Sequence, residues 1–207
     1  LEALNDISRR ACTSKMEPEQ LRRELKQVSR LPKYSYMQTC GIWAMIAASF
    51  SIFFGGNGFD AFLSGCIAAV LFFAQSFLTK LRMNSYFSTV LCSLLGGFLS
   101  NMAFEVYQGH VEIHPSMINI GIIMLLIPGI TLTTAIRDMF SGDTISGLLR
   151  FIEALVLSVA IAWGFAMLAS PGSQTFSVNP WLQLAAGIVG SLGFSLLFNV
   201  RIPKRLI

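Results

Sequence analysis

The sequence predicts an all-α polytopic membrane protein with six transmembrane helices, the fourth of them broken, preceded by a short cytoplasmic helical segment. Three observations predict it. The 207 residues are 54% hydrophobic and only 13% charged, with a mean hydropathy of +0.63, whereas a soluble domain carries about 25% charged residues. Six apolar stretches lie between Gln38 and Val200, each near the ~20 residues that cross a bilayer at 1.5 Å rise per residue. All 15 Lys and Arg residues fall on one side of the implied topology. Arg9, Arg10, Lys15, Arg22, Arg23, Lys26, Arg30 and Lys33 precede the first stretch. Lys80 and Arg82 separate the second from the third, Arg137 and Arg150 flank the turn between the fourth and fifth, and Arg201, Lys204 and Arg205 follow the sixth. The connections 55–60, 105–116 and 170–180 hold none. Lys and Arg in short loops stay in the cytoplasm, so both ends of the sequence are expected there.

The same numbers narrow the function. The net charge of +4 is a topology signal, since a nucleic-acid partner would need a basic face interleaved with aromatics. Cys12, Cys40, Cys66 and Cys92 are isolated, with no spacing for a disulfide or zinc site, and read as small hydrophobes. There is no signal-peptide pattern. The sequence opens at Leu1 on a polar segment and stops soon after a basic cluster, which reads as part of a longer polypeptide.

Residues 1–33 read as a helical hairpin. Leu1, Leu4 and Ile7 recur at helical spacing. Ser14 with Glu17 suits a capping box, Pro18 is tolerated in a first turn, and Leu21, Leu25 and Val28 mark one face of a second helix. Its basic residues suit either solvent or anionic lipid. The first span covers roughly 38–54 and stops at the turn cluster Gly55-Gly56-Asn57-Gly58. The second covers 60–79, with Asp60 placed to cap it. The third covers 85–106, where Ser93, Gly96, Gly97 and Ser100 permit close backbone approach. The fourth starts near Met117 and meets Pro128-Gly129 about eleven residues later. The fifth covers 145–168. The sixth covers 181–200, with Gly187, Gly190 and Gly193 as a packing stripe. Residues 49–54 (Ser-Phe-Ser-Ile-Phe-Phe) and 193–198 (Gly-Phe-Ser-Leu-Leu-Phe) share three identities at an offset of 144. If the sixth span opens a second repeat after five, that repeat is inverted, as in many secondary transporters.

The densest candidate for chemistry is 127–153. Pro128 removes a helical hydrogen bond and clashes with the carbonyl four residues back, and Gly129 adds freedom, so the helix should break at mid-membrane. Free backbone groups at that depth are tolerated only in a cavity or inside protein, and half-helix termini offer partial charges to ions and carboxylates. Thr131, Thr133 and Thr134 place hydroxyls just after the break. Two readings stand: a substrate or ion site, or a kink whose freed carbonyls the threonines satisfy. Arg137 and Asp138 close the half-helix. Glu153 sits about 12 Å into the fifth span, where a carboxylate should be protonated, paired or facing water. Arg150 reaches the interface or pairs with Glu153 or Asp138. Glu153 as a coupling-proton carrier and an Arg–carboxylate clasp are both open. Asn84, Asn101 and Asn119 suit helix bridging, with Asn101 the better pathway candidate. His110-x-Glu112-x-His114 falls beside Gly109 and Pro115 in a loop, which disfavours metal binding. No catalytic motif, metal-ligand set or cofactor-binding loop is visible, so no enzyme activity, metal or cofactor is expected.

These residues carry a resemblance. Pro128-Gly129, Thr131, Thr133, Ala135-Ile136-Arg137-Asp138, Ser141-Gly142-Asp143, Ser146-Gly147, Arg150, Glu153 and Gly164 resemble the signature of the threonine/serine exporter (ThrE) family, as do the approach from Tyr34 and Phe53-Phe54-Gly55-Gly56. The resemblance covers roughly 1–170, the first of two five-helix modules, and residues 193–206 resemble the opening of the second. It implies a cytoplasmic segment at 1–33, a five-helix module at 34–170, and a linker with the first helix of a second module at 171–207. It further implies a bacterial-type inner membrane, proton-coupled antiport, and export of threonine- or serine-type amino acids or dicarboxylates such as succinate. The partners expected are the lipid bilayer, a small carboxylate-bearing substrate, a second module (fused or separate) and further copies of the chain, with no nucleic acid. A carboxylate would suit Arg137, Arg150 or a half-helix N-terminus. The runner-up function is a non-transporting membrane scaffold, for which the glycine faces serve equally well.

Overall fold

A computed structural model describes Ile7, Arg10 and residues 18–29, 35–107, 112–166 and 179–198. Among them every regular element is helical: α1 (Pro18–Ser29), α2 (Tyr36–Phe53), α3 (Gly58–Lys80), α4 (Ser85–Tyr107), α5 (Pro115–Leu126), α6 (Gly129–Phe140), α7 (Thr144–Ala166) and α8 (Pro180–Leu197). Five of these are long and apolar enough to cross a membrane, and α5 with α6 makes a sixth span if the bent pair is counted as one. The chain is thus an all-α polytopic membrane protein. The expected capping pair Ser14 and Glu17 lies outside the described residues. So does the first half of the N-terminal hairpin, except Ile7, which is helical and buried, and Arg10, which pairs with Glu24 of α1 at 2.9 Å.

Local chemistry sets the boundaries. The Ser35 N–H donates to Gln38 Oε1 at 2.9 Å, starting α2 two residues earlier than the hydropathy suggested. Gly55 (φ 110°) ends the following turn, and the Gly56 N–H reaches back to the Ser51 carbonyl at 2.8 Å. Asn57 and Asp60 form a reciprocal capping box on α3, with bonds of 2.7 and 2.9 Å. Asn84 accepts from the Tyr86 N–H at 3.1 Å to start α4, and Asn179 does the same for α8 through the Trp181 N–H. Pro115 and Pro180 occupy first-turn positions where no donor is needed.

Inside the bundle α2 packs against α3, α5 and α8, while α7 packs against α4 and α6. Among the described helices α6 touches α7 alone and α8 touches α2 alone. The apolar core joins α3, α4, α5 and α7 through Ile67, Leu71, Cys92, Ile118, Ile122 and Ile161. Lipid gives no hydrophobic drive between helices, so small residues and hydrogen bonds decide the contacts. Gly121 shows this most sharply: a Cβ there would stand 2.5 Å from the Ala47 carbonyl oxygen and 2.6 Å from Ser64 Oγ. Ser49, Ser51, Ser64, Ser88, Ser93 and Ser100 are buried between helices. The Ser100 hydroxyl donates to the Pro115 carbonyl at 3.4 Å. Gln75 Oε1 accepts from Ser88 Oγ at 3.2 Å and Cys92 Sγ at 3.0 Å, which ties α3 to α4. Gly96 is buried, and a Cβ on it would stand 3.3 Å from Leu71 and Phe165 and 3.4 Å from Ile122, in line with its expected packing role.

Candidate functional site

The fourth span breaks where Pro128 and Gly129 stand. Two twelve-residue helices, each about 18 Å long at 1.5 Å per residue, meet there at 52°. Pro128 has no N–H to give to α5, and Gly129 donates to the Ile127 carbonyl at 2.8 Å instead of continuing the helical ladder. The last carbonyls of α5 and the first amides of α6 are therefore released from the helix interior. No side chain caps α6, because its N-cap position is Pro128 itself. Gly129 is exposed, and a Cβ on it would meet no atom within 4 Å. The break thus opens on the surface of this bundle.

The threonines divide. Thr133 Oγ1 donates to the Gly129 and Ile130 carbonyls, both at 3.0 Å, and Thr134 Oγ1 donates to Ile130 and Thr131 at 2.8 and 3.0 Å. These two hydroxyls serve their own helix, which is the kink reading. Thr131, the third residue of α6, lies half-buried in the first turn after the uncapped end. At the other end of α6, Asp138 accepts from Arg150 Nη1 of α7 at 2.8 Å. Gly142 (φ 95°) makes the turn between the helices, and Gly147 lets them close: a Cβ on it would stand 2.7 Å from the Ala135 carbonyl oxygen. Arg137 is exposed.

Glu153 is both paired and exposed, two of the states expected of a carboxylate there. It lies on the exposed flank of α7 and not inside the five-helix packing, and it accepts from the Tyr86 hydroxyl of α4 at 3.2 Å. Arg150 takes Asp138 as its partner, so Arg150 and Glu153 anchor two different neighbours of α7. Tyr86 was missed by sequence reasoning; its position in the first turn of α4, within reach of Glu153, is visible only once α4 and α7 are side by side. Asn101 does not join the break. It follows Ser100, which bonds Pro115 at the far end of α5, about 18 Å from Pro128 along that helix. Asn119 Oδ1 and Ser51 Oγ are buried without a hydrogen-bond partner.

A second polar node lies at the end of α3. Asp60 is fully buried and accepts from the Asn57 N–H (2.9 Å) and the His114 N–H (2.9 Å), and its Oδ2 lies 2.8 Å from His114 Nδ1. The capping role expected for Asp60 is present, and the tie to His114 adds to it. No group of three or more metal-ligating side chains occurs among the described residues; His110 lies outside them.

An all-helical bundle of five membrane-length helices and a sixth, broken span defines the class of polytopic membrane proteins. The chain belongs to the threonine/serine exporter (ThrE) family, whose profile matches residues 1–170. It is similar to a threonine/serine exporter of Corynebacterium glutamicum, with 24% identity over 152 residues, which is 72% of this chain and 31% of that protein. The chain therefore matches about a third of that relative's length. No solved structure matches the chain.

Proposed function

We propose that this chain supplies one five-helix half (residues 34–170) of a secondary transporter that exports small polar metabolites in exchange for protons. Threonine- and serine-type amino acids are the leading substrates, and dicarboxylates such as succinate fit the same chemistry. The observation that carries this reading is the uncapped α6 N-terminus at mid-span, opening on an exposed face. Its amides carry partial positive charge, which suits the carboxylate that all these substrates share. Thr131 is placed to add a hydroxyl. Arg137 and the Arg150–Asp138 pair line the way to the cytoplasmic surface, and Glu153, held by Tyr86, is the proton-carrying group. The termini are cytoplasmic, in a bacterial-type inner membrane. Because the break and Glu153 both face outward, the pathway needs a second module, inverted with respect to the first and opened by α8, to close it from lipid.

Full-length protein in liposomes should move labelled threonine, serine or succinate under an imposed proton gradient; failure to move any of them defeats the proposal. A scaffold without transport would predict that cysteines at Thr131 and Thr134 stay unlabelled by water-soluble thiol reagents, whereas an exporter exposes them.

A further inference from the structure

Helices α2 and α8 match in more than length. Tyr36–Phe53 and Pro180–Leu197 are 18 residues each, and both their starts and their ends lie 144 residues apart. They cross antiparallel: Cβ atoms on Gly187, Gly190 and Gly193 would stand 2.9 Å from Phe53, 2.8 Å from Phe50 and 2.5 Å from Ile46, so advancing along one helix retreats along the other. Phe50 and Phe194, counterparts under the same offset, touch with ring centroids 5.6 Å apart. A residue that meets its own counterpart marks a two-fold contact, and here the axis crosses a helix pair within one chain.

Carried to the next layer, this two-fold leaves one position filled and its image empty. On α2 the residues Trp43, Ala44, Ala47, Ala48 and Ser51 are covered by α3 and α5. A Cβ on Gly65 of α3 would lie 3.3 Å from the Ala44 carbonyl oxygen and 3.7 Å from Ala48 Cβ. One on Gly121 of α5 would lie 2.5 Å from the Ala47 oxygen and 3.2 Å from Ser51 Cβ. The Trp43 ring meets Phe72 of α3 at 5.6 Å. The counterparts on α8 are Gly187, Ile188, Ser191, Leu192 and Ser195. These five line one wall of an open groove of about 480 Å³ whose other wall is Phe50 and Phe53 of α2, and Ile188, Ser191, Leu192 and Ser195 are exposed there, with α2 the one described helix in contact with α8. We propose that this α8 face seats two apolar helices of the second module, arranged on α8 as α3 and α5 are arranged on α2. Ile188 and Leu192 stand where α2 has alanines, so the incoming helices sit further off there. Close approach is kept at Ser191 and Ser195. The proposal rests on the inverted second module of the preceding reading, and commits it to named residues.

The test is spin labelling of the protein together with its second module in lipid vesicles, with Cys12, Cys40, Cys66 and Cys92 replaced by alanine. Single cysteines go at Ser191→Cys and Ser195→Cys, with Phe62→Cys on the exposed side of α3 (65% exposed) as the lipid-facing reference. Packed helices exclude dissolved oxygen, so both serine positions should show oxygen accessibility at least about threefold below the Phe62 position. Accessibility equal to that of Phe62 means the groove faces lipid and overturns the proposal. Low accessibility with dipolar coupling between labels at 191 on two copies, within about two helix diameters or ~20 Å, means a second copy fills the groove and also overturns it. If a serine variant does not reach the membrane, Ile188→Cys and Leu192→Cys report on the same groove. Export measured on the same variants separates the two readings: transport with lipid-exposed labels sinks the docking surface alone, and covered labels without transport sink the exporter alone.

Discussion

Asp60 carries more contacts than any other acidic residue described. It is fully buried, and three donors converge on it: the Asn57 amide, the His114 amide and the His114 ring. Removing the carboxylate orphans them, at about 1–3 kcal/mol for each donor left buried. Asp60→Ala should therefore lower the thermal stability of the detergent-solubilised protein by at least ~2 kcal/mol. Asp60→Asn, which keeps an acceptor, should cost less, and equal melting curves for Asp60→Ala and the unaltered protein would refute the account. Glu153 poses the converse problem. It is exposed on α7 with the Tyr86 hydroxyl as its partner, so its substitution should leave the fold standing and strike transport. Glu153→Gln keeps the shape and the Tyr86 bond and removes the titratable oxygen. We expect gradient-driven export to fall at least about tenfold, ~1.4 kcal/mol in rate, while exchange of substrate across the membrane without a gradient persists. Coupled transport that survives Glu153→Gln removes Glu153 from the proton path. Neither the His114 arm nor the Tyr86 arm was legible in the sequence: the partners are 54 and 67 residues apart, and no local pattern encodes such pairings. What was legible was the demand for a partner, because a carboxylate in an apolar stretch cannot stand alone.

At the scale of elements, the break between α5 and α6 was the most readable feature, since proline chemistry is local. The Pro-Gly pair announced it, and the 52° bend follows. Pro128→Ala restores a donor for the α5 carbonyls and removes the ring clash, so the two half-helices should straighten towards one span. If the exposed α6 N-terminus binds the substrate carboxylate, export should fall at least about tenfold with the protein still folded, and unchanged export in Pro128→Ala would mean the bend is only structural. The threonine row was half legible. Its spacing suggested substrate hydroxyls, but Thr133 and Thr134 satisfy carbonyls of their own helix, a competition that sequence alone leaves open. Thr133→Val should therefore leave substrate affinity within about twofold, a change of ~0.4 kcal/mol. Gly147 and Gly164 could be quoted as a pattern, but the reason for them needed the neighbours. Gly147 abuts Ala135 and Met139 of α6, and Gly164 abuts Ser93 of α4, so each is a place where α7 must approach a backbone. Helix ends shifted by one to three residues from the hydropathy windows because Ser35, Asn57 and Asn179 set them by hydrogen bonding, which hydropathy does not weigh.

The whole molecule is organised by one asymmetry and one incompleteness. The asymmetry is one of sequence: the connections 55–60, 105–116 and 170–180 hold no Lys or Arg, a pattern legible at once because it needs only counting. The incompleteness is that Arg150, Glu153 and the α6 N-terminus lie on exposed flanks of a bundle built to sit in lipid, where exposed charge and free amides are costly. The two meet in a test of orientation. Glu112 and Ser141 are both exposed and lie at opposite ends of the broken span. In intact cells carrying the full-length protein without native cysteines, an impermeant thiol reagent should label Glu112→Cys from outside and should label Ser141→Cys only after the cells are opened. The opposite pattern would reverse the positive-inside assignment. With the predicted orientation, α6 runs from mid-membrane to the cytoplasmic surface, its Arg137 and the Arg150–Asp138 pair at the entry and its uncapped amides at the inner end. On the proposed function, a carboxylate-bearing substrate moving outward would meet the fixed positive charges first and the helix terminus second.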